Sequence, residues 1–184
     1  MKRHVWSVGI LLLSTGAIYA QESDTPKAEV GMTYSFAHRN NEQFTNGYNQ
    51  NGGSGYFEAN LNRTVGLVAD LGGYTGGPDR QTFTYLFGPR LNLRKSRFTP
   101  YVQFLFGGAY EWGVIHASGI STTQNGFAMA AGGGLDITIS RHFAVKPFQV
   151  EYVMTQVPQL ASNLNSVQNN LRYSAGIVYH FGSR

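Results

Sequence analysis

The feature that most limits what this chain can fold into is a period of two. From about residue 28 to Phe181, apolar side chains fall on alternate positions, the spacing at which a β-strand turns successive side chains to opposite faces. Val30, Met32, Tyr34 and Phe36 alternate with Gly31, Thr33 and Ser35. The pattern returns in seven further runs, over 56–61, 65–72, 82–93, 102–114, 127–139, 148–154 and 171–181. Helix is a poor rival even in the longest runs: Gly132-Gly133-Gly134 would cost a helix roughly 3 kcal/mol relative to alanine. The expectation is an all-β chain of eight strands.

The connections alternate as well. Those at 62–64, 94–99 and 140–143 are short, whereas 37–54, 75–80, 117–125 and 155–168 are longer and polar. Tight turns at one rim and extended loops at the other fit a closed antiparallel up-and-down barrel.

Alternation alone does not say which face meets water. The polar face is rich in Gly, Ala, Ser and Thr, and its charges are Glu58, Asp70, Arg90, Glu111, Asp136, Glu151 and Arg172. A water-facing surface normally carries about 25–35 % charged residues, whereas the whole chain has 13 %. The apolar face carries Phe, Tyr or Trp in nearly every run, too many for the interior of eight strands, which is just wide enough for side chains. Many of these aromatics, such as Phe36, Phe57, Phe83, Trp112, Phe127, Tyr152 and Phe181, fall toward strand ends, as in the girdles of a membrane barrel. The apolar face is therefore expected to meet lipid, with the seven charges paired across the lumen. A one-residue slip of every strand would turn those charges to lipid at a cost on the order of 10 kcal/mol. Inward glycines such as Gly66, Gly107, Gly132 and Gly176 leave room for the larger polar groups.

The first twenty residues read as an export signal. Lys2 and Arg3 precede an apolar run from Val5 to Ile18 that ends at Ala20, which places cleavage between Ala20 and Gln21. The run is shorter than the ~20 residues a membrane-crossing helix needs. Residues 1–20 are thus expected to be a cleaved secretory signal, 21–27 a short N-terminal segment and 28–184 the barrel. Subtracting Lys2 and Arg3 from 14 Lys and Arg leaves 12 against 10 Asp and Glu, a balance that gives no reason to expect nucleic acid. Cysteine is absent, which excludes disulfide scaffolds and thiolate-held metals.

With these residues in view, the chain resembles the small eight-stranded outer-membrane β-barrel family, of the type of the outer membrane protein A transmembrane domain. The most specific match is the last strand, L171-R-Y-S-A-G-I-V-Y-H-F181, followed here by Gly182, Ser183 and Arg184. Tyr173, Tyr179 and Phe181 resemble the aromatic signal read by the barrel-assembly machinery. The resemblance implies a bacterial outer-membrane protein in contact with outer-membrane lipid, termini toward the periplasm, with a structural or surface-interaction role. The peptidoglycan-binding function of larger relatives is not carried over, because nothing after Phe181 resembles their second domain.

Other candidates are thinner. His116 and Ser118 share the His-x-Ser spacing of an outer-membrane lipid A deacylase, which makes a lipid-modifying enzyme an alternative, but no carboxylate stands ready to orient the histidine. The lumen charges could also border a narrow solute path. Arg94, Lys95 and Arg97 crowd one turn, either meeting lipid phosphates or simply solvated. The Asn- and Gly-rich loop segments could hold an unidentified ligand. No cofactor or metal is expected, since the histidines do not form a ligand set.

Overall fold

The structure, a computed structural model, describes residues 25–39, 48–76, 80–115, 120–158 and 165–183. They form eight strands: β1 Pro26–Arg39, β2 Tyr48–Asn60, β3 Val65–Thr75, β4 Arg80–Asn92, β5 Phe98–Ile115, β6 Ile120–Thr138, β7 Phe143–Pro158 and β8 Asn165–Ser183. Each pairs antiparallel with the next, and β8 returns to β1 from Pro26↔Ser183 to Arg39↔Asn170, closing the barrel. Closure removes the open edge, whose unpaired backbone groups would each cost several kcal/mol in hydrocarbon.

The short connections are built by local chemistry. Between β2 and β3 the Asn62 side-chain oxygen accepts the amides of Thr64 and Val65 at 2.8 and 2.7 Å, an Asx turn that fixes the reversal. Between β4 and β5, Lys95 and Phe98 exchange backbone hydrogen bonds at 2.9 and 2.8 Å. The two-residue loop between them puts Ser96 at φ 51°, the positive φ such hairpins need at their first position.

The sheet reaches further into the polar segments than the alternation implied. β2 starts at Tyr48 within the expected 37–54 loop, β6 at Ile120 within 117–125, and the β7 and β8 strands cover most of 155–168. The reason is length. About 9–11 residues suffice to span hydrocarbon, whereas seven of these strands have 13 to 19 residues in all. Outside hydrocarbon a strand needs only its ladder, so Asn, Gln, Ser and Thr continue it without an apolar face to betray it.

β7 also begins earlier than expected, at Phe143 rather than 148. Its register against β8 shifts between Lys146 and Gln149, where Pro147 and Phe148 both face outward. Pro147 has no amide to give the ladder, which suits it to a bulge. Strict alternation would put Lys146 on the same side as Phe148. The bulge turns it inward instead, where it is 1 % exposed.

Inside and outside are sharply sorted. All eleven phenylalanines among the described residues are 38–53 % exposed on the outer surface. The lumen holds Tyr56, Tyr74 and Tyr101, the last two with hydrogen-bonded hydroxyls, together with small and aliphatic side chains such as Leu86, Leu105 and Val178. No helix among the described residues is long and apolar enough to cross a membrane, which says nothing about strands.

Candidate functional site

The interior charges of the barrel come from all strands. Of the seven expected there, Glu58, Asp70, Arg90, Asp136, Glu151 and Arg172 are at most 4 % exposed, and Glu111 lies half-buried toward the loop end of β5. Three linked groups run along the axis.

Near the turn end, Arg94 donates to Glu29 Oε1 at 2.7 Å and to Asn60 Oδ1 at 2.9 Å. Asn60 also donates to Glu29 at 3.0 Å, and His180 Nε2 stands 3.7 Å from Glu29 Oε2. Arg94 is therefore part-buried, with its guanidinium turned to Glu29 and Asn60 at the barrel mouth. It bends into the barrel mouth because Glu29, paired across the strands with Glu58, needs a cation of its own.

The second group centres on Arg90, which donates to Glu58 Oε2 and to Gln103 Oε1, both at 2.8 Å. Asn92 holds the other Glu58 oxygen at 2.6 Å. The Arg90 guanidinium lies over Tyr56 and Tyr101, 4.7 and 4.3 Å from their centroids. Lys146 approaches the same two rings at 4.9 and 4.1 Å and pairs with Asp136 at 3.1 Å. Tyr101 accepts from Lys146 at 2.5 Å and donates to Gln149 at 2.6 Å.

The third group hangs on Glu151. It accepts from Gln103 at 2.7 Å, from Gln149 at 2.6 Å and from Arg172 Nε at 2.9 Å. Arg172 also donates to the Tyr74 hydroxyl and lies 4.0 Å from Asp70, which Ser54 holds at 2.9 Å. Buried charges persist only when paired and hydrogen-bonded, and here each buried carboxylate has a cation or donor within reach.

The sequence placed two cations amid five carboxylates. The structure adds Lys146 and Arg94 to Arg90 and Arg172, and adds Glu29. Among the described residues, five buried carboxylates (Glu29, Glu58, Asp70, Asp136 and Glu151) thus face four cations, with His180 beside Glu29. The surplus of acids on the alternating face was the signal that further cations had to enter. Lys146 was hidden by the bulge and Arg94 by its place in a turn.

Glycines make room for these groups. A Cβ on Gly66 would stand 2.1 Å from Glu58 Oε1, and one on Gly31 2.2 Å from the Tyr56 ring. Gln50, Tyr74, Thr155, Asn170 and Arg172 line a small recess toward the loop end.

The outer surface is the complement. Phe36 pairs with Tyr173 and Phe83 with Tyr110 toward the loop end, while Phe143, Tyr179 and Phe181 pack edge-to-face at the turn end. Tyr173 and Phe181 are 48 and 47 % exposed on this surface. His116, Ser118, Ala20 and Gln21 lie outside the described residues, as does the whole of 1–24.

A closed eight-stranded barrel with an apolar exterior and an ionic interior shares the fold of the small eight-stranded outer-membrane β-barrels. Among solved structures it is similar to Neisserial surface protein A, with a TM-score of 0.66 and 10 % identity over 84 % of this chain and 97 % of that one. It is similar also to Ail, the attachment invasion locus protein of Yersinia pestis, at 0.62, with 13 % identity over 85 and 99 %. The outer membrane protein OprG from Pseudomonas aeruginosa matches at 0.56, with 11 % identity over 85 and 97 %. At these identities the likeness is one of fold. No protein family and no curated protein matches the chain in sequence.

Proposed function

We propose that this chain is an exported integral outer-membrane barrel of a bacterial envelope, with a structural or surface-interaction role and a lumen closed to solutes by its own ion pairs. The observation that carries this is the sorting of side chains. Among the described residues, twenty-seven large apolar side chains are exposed around the outside, while Glu29, Glu58, Asp70, Arg90, Asp136, Lys146, Glu151 and Arg172 are buried inside. Soluble monomers rarely expose an apolar patch beyond a few hundred Å², so the outer surface calls for lipid. The names of the structural neighbours, an outer membrane protein, a surface protein and an attachment protein, support the location and the interactive role.

On this reading residues 1–20 are the export signal, cleaved after Ala20, and the aromatic face of β8, with Tyr173, Tyr179 and Phe181, is the part the barrel-assembly machinery reads. The turns face the periplasm and the loops face outside. The role is not catalytic and needs no cofactor. Detergent extraction with heat-modifiable gel mobility tests the core of this. The unboiled protein should migrate ahead of the boiled one and stay with membranes after a urea wash. Recovery in the soluble fraction would overturn the reading. Lipid A acylation compared between wild type and Ser118→Ala tests the non-catalytic role, and a change in any lipid would refute it.

The recess at Arg172 favours a second reading, a narrow solute path. Arg172, which lines it and is held to Glu151 at 2.7 Å, opposes that reading, and planar-bilayer recordings free of stable openings would remove it.

A further inference from the structure

All three described connections at the turn end repeat one pattern: an exposed aliphatic residue followed two positions later by a cation. They read Leu61-Asn62-Arg63, Leu93-Arg94-Lys95 and Ile139-Ser140-Arg141. Leu61, Leu93 and Ile139 are 56, 59 and 67 % exposed, and Arg63, Lys95 and Arg141 are exposed beside them. Arg97 adds a cation to the middle turn, and Lys27 stands at the β1–β8 seam, against Gly182.

The turns form one continuous rim. Asn92 donates to the Thr64 carbonyl at 2.7 Å, Thr138 to Arg97 at 2.8 Å, and His180 to His142 at 2.8 Å. The Arg63 guanidinium reaches the Arg94 carbonyl at 3.0 Å.

No exposed carboxylate among the described residues neutralises this rim. The acids nearest it, Glu29, Glu58 and Asp136, are 2, 0 and 4 % exposed inside the barrel and already paired. Just inboard of the cations lie exposed rings, Phe98, Phe143 and Phe181.

We propose that the turn end is a docking ring for anionic glycerophospholipids, the cations holding headgroup phosphates while the aliphatic and aromatic residues beside them enter the acyl region. The inference rests on the membrane reading above. Charge complementarity selects an anionic partner. The apolar residue two positions from each cation selects a lipid over a soluble polyanion, because a polyanion in water would leave Leu61, Leu93 and Ile139 uncovered. Basic side chains can lie along apolar surface and still place their charge at the headgroups. The ring holds the barrel at a fixed depth and enriches anionic lipid around one end.

The test uses the full chain in phosphatidylcholine vesicles carrying trace spin-labelled lipid, in which protein-bound lipid gives a motionally restricted electron-spin-resonance component. Spin-labelled phosphatidylglycerol should be restricted at least about twofold over spin-labelled phosphatidylcholine in low salt. The preference should collapse at high salt and survive added inorganic phosphate at constant ionic strength. The variant Arg63→Gln/Lys95→Gln/Arg97→Gln/Arg141→Gln should lose it, while Arg80→Gln at the loop end should keep it. If the fourfold variant does not insert, Lys95→Gln/Arg97→Gln, at one exposed turn, should halve the preference. Restricted lipid with no headgroup preference would overturn this proposal and leave the membrane reading intact. No restricted lipid of any kind would overturn both. Loss on adding phosphate, or loss only in Arg80→Gln, would show that the ring is not a lipid site.

Discussion

Gln103 and Phe104 are neighbours in β5 and inhabit opposite media. Gln103 is 6 % exposed and holds Arg90 and Glu151 inside the lumen, while Phe104 is 46 % exposed on the outer wall. The same contrast repeats around the barrel, and it inverts the rule of a soluble protein. What is close-packed and specific here is polar, and what is open and permissive is apolar. The outer wall needs only to be greasy, so many residues will serve at each position. The lumen needs each charge to meet a named partner, so few will.

The largest predicted effect follows from that difference. Arg172→Met strips Glu151 and Asp70 of their cation and should cost roughly 3–5 kcal/mol, read as a lowered urea midpoint in micelles. Adding Glu151→Gln should recover part of the loss. Equal losses in the single and double variants would mean that the interior pairs are not coupled. On the outer wall, Phe106→Arg, at the middle of β5, should cost about 2–4 kcal/mol, whereas Phe106→Leu should change the midpoint little. If both proved neutral, the wall would not be in hydrocarbon.

Glycines sharpen the comparison at a smaller scale. A Cβ on Gly132 would stand 2.1 Å from the Val150 carbonyl and 2.6 Å from Glu151 Cα, whereas one on Gly73 would meet nothing within 4 Å. Gly132→Ala should cost about 1–3 kcal/mol and Gly73→Ala less than about 0.5 kcal/mol in the same unfolding assay. The smallest effect belongs to the turns. Asn62→Ala removes the acceptor for two amides and should cost about 1 kcal/mol without altering which face is greasy.

Much of this was legible in the sequence because a strand's period is two and a membrane barrel uses both faces. Strand number, closure and the inward set Glu58, Asp70, Arg90, Asp136, Glu151 and Arg172 follow from parity. Parity fails where the backbone breaks step. At Pro147 and Phe148 the bulge reverses it, and Lys146 could not be placed without knowing that. Arg94 was hidden for a related reason, since a turn residue has no parity and only the unmatched Glu29 within reach explains its direction. The polar strand extensions at the loop end were hidden because their ladders are made by backbone, which side-chain pattern does not report.

The medium that touches each face of the barrel decides its nature. Because the chain has no cysteine, Val102→Cys, Gln103→Cys, Phe104→Cys, Leu105→Cys and Phe106→Cys each give a single site for a nitroxide label in bilayers. Accessibility to oxygen, which concentrates in hydrocarbon, should be high at 102, 104 and 106 and low at 103 and 105. High accessibility at 103 and 105 with low values between them would contradict the account.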